Sequence, residues 1–374
     1  MGPLIMKVLC IYLGKKGGGE IYSLSIAERL SRYAETRVMV SRYAENIAQW
    51  RSAVGDLYEM ETYRSGSEFI KKTLTRETIS EIKTIIDRET PDIVYYPMLS
   101  PWTPLINSRS RNVKTVSTIH DLKLHRGERN PVIAYLTSKS ISQSDGLIFL
   151  NSHSNEQFLK RGRKIPTAVI PCGAFDFYLE DEEDRYRTVE DRANILFLGR
   201  ILKYKGLDVL LKAYPGIKES IPNSRLIIAG QGNIAAYRKQ LDFCPDVEVY
   251  NKFLTNEEIS NLMKEADVLA LPYVDASQSG VLTIGQVFGT PVLATRIWGI
   301  QEQVEDGVTG VLVEPGNSDQ LAGECVRLLG DASLRESLSR NEIEYARDSL
   351  SWEKITQRIV LFFEKVLSAS EGVE

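Results

Sequence analysis

Short apolar runs alternate along this chain with stretches in which apolar residues recur every three or four positions. The runs at 7–13, 37–40, 92–96, 115–119, 145–150 and 167–170 predict strands in the first half. Those at 194–198, 225–229, 247–250, 268–271, 291–295 and 311–313 predict strands in the second. Helical spacing covers 80–88, 132–142, 206–220, 256–265, 319–330 and 334–348. Continuous apolar runs suit parallel strands covered on both faces. The alternation therefore predicts an α/β protein, with parallel sheets flanked by helices in two similar halves. The stretch 177–191 breaks the pattern with the acidic run from Glu180 to Asp184, and reads as a solvated linker or domain edge. The expected division is a Rossmann-like domain over 1–185, a second over 186–350, and a terminal helix over 351–374. That helix carries Ile355, Ile359, Phe362, Phe363 and Val366 on one face, which must pack on something.

Composition narrows the class. A chain of 374 residues accommodates two cores, and 43% hydrophobic with 26% charged residues is the balance of a globular protein. No apolar run reaches the ~18–20 residues of a membrane span. The start of the chain lacks the order of a signal peptide, and a cytoplasmic location is expected from its cysteines. The cysteines (Cys10, Cys172, Cys244, Cys325) are far apart and form no CxxC pair, which points to buried, reduced thiols. Residues 1–179 hold 25 Lys and Arg against 18 Asp and Glu, a balance of +7; the remainder holds 21 against 32, a balance of −11. A basic first half suits an anionic membrane surface or an anionic acceptor, or is mere asymmetry between two solvated surfaces.

The chemistry gathers where strands end. Ile195–Leu198 empties into Gly199 and Arg200, then Lys203, Lys205 and Gly206, before apolar residues resume helical spacing. A helix N-terminus attracts anions through its free N–H groups and its dipole, and Arg200 and Lys205 add positive charge there. A diphosphate fits such a turn; a solvated turn with ordinary surface cations is the alternative. The first half opens alike, with the 7–13 run followed by Lys15, Lys16 and Gly17-Gly18-Gly19, then a helix carrying Ile21, Leu24, Ala27 and Leu30 on one face. The glycines let backbone approach a ligand, but GxGxxG is absent, so a dinucleotide cofactor is weakly supported. His120, one of three histidines, directly follows a strand run, the end at which such sheets bind ligands. Ser279 and Gly280 stand where another helix should begin and offer a hydroxyl and unobstructed amides. A ligand would lie in the cleft between the two halves.

Taken in order, FLGRILKYKG, LIIAGQG, ADVLALPY, QSGVLTIGQVFGTPVLAT and WGIQEQVEDGVTGVLVEPG resemble the motifs of retaining, nucleotide-sugar-dependent glycosyltransferases of family 4. In the first half the Gly17–Glu20 turn, Thr118-Ile119-His120-Asp121 and Ile170-Pro171-Cys172-Gly173 match the corresponding family elements. The resemblance implies the GT-B fold, two Rossmann-like domains facing each other across a cleft, with the terminal helix crossing back to the first. It implies a metal-independent hexosyltransferase that uses a nucleoside diphosphate sugar as substrate and no cofactor. Arg200 and Lys205 would clamp the donor diphosphate. Gly17, Gly18, Gly19, Ser279, Gly280 and Val281 would complete that pocket, His120 would lie beside the reacting carbon, and Glu302 occupies the family's loop position. The family usually carries two glutamates eight residues apart; Ser277 and Gly285 fall there, on a helix one residue shorter, which leaves the donor open. The acceptor would be a sugar, a lipid-linked or a small molecule, as in glycan, polysaccharide or glycolipid synthesis. No nucleic-acid partner is expected; peripheral contact with the inner membrane face is. A catalytically silent sugar-nucleotide-binding subunit and a sugar-nucleotide epimerase of the same fold are the alternatives.

Overall fold

The computed structural model describes residues 6–107, 113–122, 130–179 and 193–369. The run Glu180–Asp184 and the cations Arg109, Arg111, Lys123, Arg126 and Arg129 lie outside them. The chain forms two compact units.

The first unit holds strands β1 Lys7–Tyr12, β2 Glu35–Ser41, β3 Leu57–Met60, β4 Ile93–Tyr96, β5 Lys114–Ile119, β6 Gly146–Phe149 and β7 Thr167–Val169. They form one parallel sheet in the order β3-β2-β1-β4-β5-β6-β7. Six of the seven were legible as apolar runs. The seventh, β3, reads LYEM and is only half covered along most of its length, as an edge strand is, so it offers no continuous run. The helix Gly18–Leu30 was expected to bury one face. It buries every residue from Glu20 to Ala27, because the helix Trp352–Ser368 covers its outer side. Tyr22 meets Trp352 edge-on at 5.4 Å, Tyr95 meets Phe363 at 5.1 Å, and Gly146 lies directly under Val366 and Phe362.

The second unit holds β8 Ala193–Leu198, β9 Ser224–Ala229, β10 Val247–Tyr250, β11 Val268–Leu271, β12 Val292–Thr295 and β13 Val311–Val313. They too form one parallel sheet, ordered β10-β9-β8-β11-β12-β13. All six were legible as apolar runs. On one face the helices Leu207–Ser220 and Ser318–Gly330 close a core of Phe197, Leu210, Tyr214, Ile228, Leu321 and Leu328. Pro215 sits inside the first of these helices and supplies no N–H for the Leu211 carbonyl. The Cys244 thiol donates to that carbonyl instead, at 3.4 Å. All four cysteines are buried and none is in a disulfide.

The units divide at Cys172/Gly173, with the chain returning to the first unit at Trp352. The sequence reading set the first boundary at 185/186. The division comes earlier because residues 173–179 are built into the second unit. The Ala174 N–H donates to the Leu350 carbonyl, and the Phe175 ring lies against Gly280.

Glu342, on the helix Ala332–Ser349, is fully buried behind β12. Its Oε1 accepts the Val292 N–H at 3.1 Å, while Oε2 has no partner. Burial pushes its carboxyl well above the usual range, only partly offset by that bond. The native state therefore holds a proton that the unfolded chain has released. The stability this group contributes is full below the ordinary pKa of 4.5 and is lost as pH rises towards the native value. Glu342→Gln cannot titrate. Unfolding free energies of wild type and variant, compared from pH 5 to 8, should shift in the variant's favour as pH rises, by at most about 1.4 kcal/mol per pH unit. A difference independent of pH would refute this account.

Candidate functional site

In each unit the central strand has a neighbour on either side from opposite chain directions, so the connections diverge beside it: between β1 and β4, and between β8 and β11. Ligands of open parallel sheets bind at such points, beyond the strand ends. The predicted site residues sort onto these two places, one in each unit.

In the first unit, β1 leads to Gly17, whose φ of 81° lies in the left-handed region and which starts the helix Gly18–Leu30. The Gly17 carbonyl accepts the Glu20 N–H at 2.8 Å. A β-carbon on Gly19 would come within 3.3 Å of Met98, just past β4. His120, at the end of β5, donates from Nε2 to the Pro97 carbonyl at 2.9 Å, since a carbonyl can only accept. Its ring meets Tyr22 edge-on at 4.7 Å. Burial lowers its pKa, against the Pro97 bond and Asp121, which raise it. The lowered pKa favours the neutral ring, in which Nδ1 is an acceptor. The glycine turn and His120 thus converge on one strand-end region.

Glu20 lies at the start of the helix, off the apolar face of Ile21, Leu24, Ala27 and Leu30. It is nevertheless fully buried. Its Oε1 accepts the Asn46 N–H at 2.8 Å and the Trp50 indole N–H at 3.3 Å, and the Glu45 N–H reaches the Lys15 carbonyl at 2.7 Å. These bonds pin the glycine turn to the loop after β2. Burial raises the Glu20 pKa, against the two N–H bonds that lower it.

In the second unit, β8 ends at Leu198 and is followed by Gly199 and the exposed Arg200. A β-carbon on Gly199 would lie 3.5 Å from Lys205 Nζ and 3.6 Å from Val281. Lys205 and Val281, in the first turn of the helix Gly280–Phe288, therefore both lie beside Gly199. Its Nζ donates to Tyr273 Oη at 2.6 Å and sits 4.0 Å from the centre of that ring. Gly206 has φ 69°, and a β-carbon there would fall 1.8 Å from the Pro272 carbonyl oxygen. Ser279 caps the helix, its Oγ accepting the Leu282 N–H at 3.3 Å. Among the described residues no protein group accepts from the Gly280 and Val281 amides. A cation-bearing turn and a helix N-terminus make a place for an anion.

Two expectations change here, at the Ser279 amide and at Gly285. The Ser279 amide was expected to face a ligand, but it donates to Gln303 Oε1 at 2.8 Å. Glu302 is exposed, whereas its neighbour Gln303 points inward and also donates from Nε2 to the Ser279 carbonyl at 3.2 Å. Gly285 faces the sheet: a β-carbon would meet Leu269 at 2.7 Å and Val292 at 3.2 Å, so no side chain at 285 could reach a ligand. Ser277 is buried. Sequence reasoning missed Tyr273, Gln303 and Gln286, whose Nε2 donates to the Gln303 carbonyl at 2.9 Å. No spacing signals such partners. Among the described residues no cluster of His, Cys, Asp or Glu is arranged to hold a metal ion.

Residues 16–174 match the family model described as Glycosyltransferase Family 4, and residues 192–331 match that of Glycosyl transferases group 1. An uncharacterized glycosyltransferase of Methanocaldococcus jannaschii is 25% identical over 375 residues, covering 97% of this chain and 99% of that one. A second from the same organism is 32% identical over 176 residues, 46% of this chain and 44% of its own length. With most of the other curated relatives, too, the chain spans about half of the relative's length. In shape the chain is similar to Anabaena HepE, solved in complex with UDP-glucose, with a TM-score of 0.74 at 18% identity over 97% of this chain and 100% of that one.

The packing at Gly206 makes a direct test. Gly206→Ala requires a strained φ and displaces the Pro272 carbonyl, so it should destabilise by at least about 1 kcal/mol. Gly216→Ala, exposed in the following helix with nothing within 4 Å, should instead stabilise by about 0.5–1 kcal/mol. Urea denaturation of the two variants gives both values; equal behaviour would disprove the close approach.

Proposed function

The chain belongs to the family 4-like glycosyltransferases of the GT-B fold, and from that premise we propose that it transfers a sugar from a nucleoside diphosphate sugar to an acceptor hydroxyl, with retention at the anomeric carbon. The observation that carries this reading is the convergence of Gly199, Lys205 and the N-terminus of Gly280–Phe288 at the β8/β11 strand ends. The UDP-glucose complex of HepE supports a donor of this class.

In the proposed reaction the bond from the anomeric carbon to the diphosphate oxygen breaks and the acceptor oxygen takes its place on the same face. The acceptor proton passes to the departing phosphate oxygen, so no separate base is required. Negative charge grows on the diphosphate as it leaves. Lys205, Arg200 and the Gly280 and Val281 amides stabilise that charge, Lys205 from a position already held by Tyr273. His120 has spent its one N–H on Pro97, so its role is to accept a hydrogen bond from a sugar hydroxyl and orient it. The positive groups take the part a metal ion plays in other transferases, and no cofactor enters.

A lipid-linked acceptor has one observation in its favour. The helix Gly66–Thr75 of the first unit buries no residue and exposes Ile70 at 60% and Leu74 at 77%, one turn apart. The exposed Lys71 and Arg76 flank them. Lys72 does not join this face, since its ammonium is tied to Glu61 at 3.0 Å. Apolar residues with flanking cations suit an anionic bilayer surface. No helix among the described residues is long and apolar enough to cross a membrane.

Lys205→Ala and Arg200→Ala should each lower kcat by roughly 10²–10³ with the fold intact. Activity should persist in EDTA, and NMR of the first-formed product should show the donor's anomeric configuration. Restoration of a lost activity by Mg²⁺ or Mn²⁺, or an inverted product, would overturn the mechanism. Release of nucleoside diphosphate separates transfer from a silent binding subunit. A new sugar nucleotide formed without acceptor would mark an epimerase. For the membrane face, the protein should sediment with anionic vesicles and less so with neutral ones. Ile70→Ser/Leu74→Ser and Lys71→Glu/Arg76→Glu should each reduce that binding. Equal recovery with both vesicle types would favour a soluble acceptor.

A further inference from the structure

The donor turn contains a chain of hydrogen bonds whose proton directions follow from its ends. Lys205 is an ammonium with three donors and no acceptor, so Nζ must donate to Tyr273 Oη, 2.6 Å away. The Tyr273 proton then points onward, and Ser279 Oγ is the acceptor in reach at 3.4 Å. That distance is long for a hydroxyl bond, as contacts in unliganded sites commonly are. Ser279 Oγ also accepts the Leu282 N–H at 3.3 Å, which occupies its second lone pair. The proton left over is Ser279's own, at the mouth of the helix where the Gly280 and Val281 amides emerge.

The Ser279 backbone is held from the other side. Gln303 accepts its N–H and donates to its carbonyl, so one carboxamide fixes both polar groups of the same residue. Gln303 is in turn fixed through its own carbonyl by Gln286. Tyr273, Ser279 and Gln286 are 1%, 3% and 0% exposed. Gln286 Oε1 is buried without a partner, a costly arrangement that an apolar residue would avoid. We propose that Tyr273 and Gln303 are positioning residues of the donor site, holding Ser279 so that its hydroxyl proton and the two following amides converge on the diphosphate that Lys205 faces. This rests on the diphosphate reading above. It gives Tyr273 one task, to accept from Lys205 while donating to Ser279, and Gln303 another, to prevent the serine from turning.

The test uses inorganic pyrophosphate, which requires no knowledge of the base. Its affinity for the full chain is measured by calorimetry for wild type, Lys205→Ala, Tyr273→Phe, Gln303→Met, Ser279→Ala and the Tyr273→Phe/Ser279→Ala double variant. Each single variant should bind about tenfold more weakly. Tyr273→Phe and Gln303→Met should lower kcat more than they raise the donor KM, because the leaving charge is greatest in the transition state. The double variant should lose less than the product of the two single losses, since both break one chain. A purely structural role would lower the melting temperature and leave pyrophosphate affinity unchanged, which would overturn the proposal. Independent effects of Tyr273→Phe and Ser279→Ala would overturn it as well, and Ser279→Ala tests the hydroxyl even if Gln303→Met fails to fold. If Lys205→Ala loses binding while Tyr273→Phe and Gln303→Met match wild type, only this proposal falls. If Lys205→Ala binds as wild type does, the diphosphate reading falls with it.

Discussion

The close approach of two strand-end turns at Gly206 is the constraint on which the second unit's site depends. The Pro272 carbonyl occupies the space of any β-carbon at 206, and the Val274 N–H donates to the Tyr204 carbonyl at 2.8 Å. Parallel pairing of β8 with β11 delivers both turns to one edge of the sheet, although Lys205 and Tyr273 are 68 residues apart. Without that approach Lys205 would be an ordinary surface cation, worth little in water. With it, the ammonium is anchored on a buried tyrosine and lies near a helix N-terminus.

The first unit meets the same need by different means. Its glycine turn is flexible by composition, and flexibility alone would blur any site built there. The buried carboxylate of Glu20 removes that freedom by binding the Asn46 amide and the Trp50 indole. His120 is likewise oriented by the Pro97 carbonyl rather than left to rotate. In both units, then, the residues that could touch a ligand are held by neighbours that cannot.

Those neighbours carry a cost. Glu20 Oε2, Gln286 Oε1 and Glu342 Oε2 are all buried without partners. Each such atom costs about 1–3 kcal/mol, against a net stability of about 5–15 kcal/mol for a typical domain. Glu342 spends it on pinning the start of β12. Glu20 and Gln286 spend it beside the two candidate ligand sites, where orientation matters more than stability.

The sequence by itself determined the architecture. Parallel strands buried on both faces must be continuous apolar runs, so twelve of the thirteen described strands stood out, and only the half-exposed LYEM of β3 did not. It also located Lys205, Ser279, the glycine turn and His120, because glycines, cations and caps next to strand ends are local signals. Tertiary structure alone decided the rest. It assigned residues 173–179 to the second unit through Phe175 and Ala174, contacts invisible along the chain. It turned Gly285 to the sheet, left Glu302 exposed and set the adjacent Gln303 against Ser279. Composition and spacing report what a segment can form. Which side of it meets a partner 24 residues away, as Gln303 meets Ser279, is set by how the surrounding helices and strands pack.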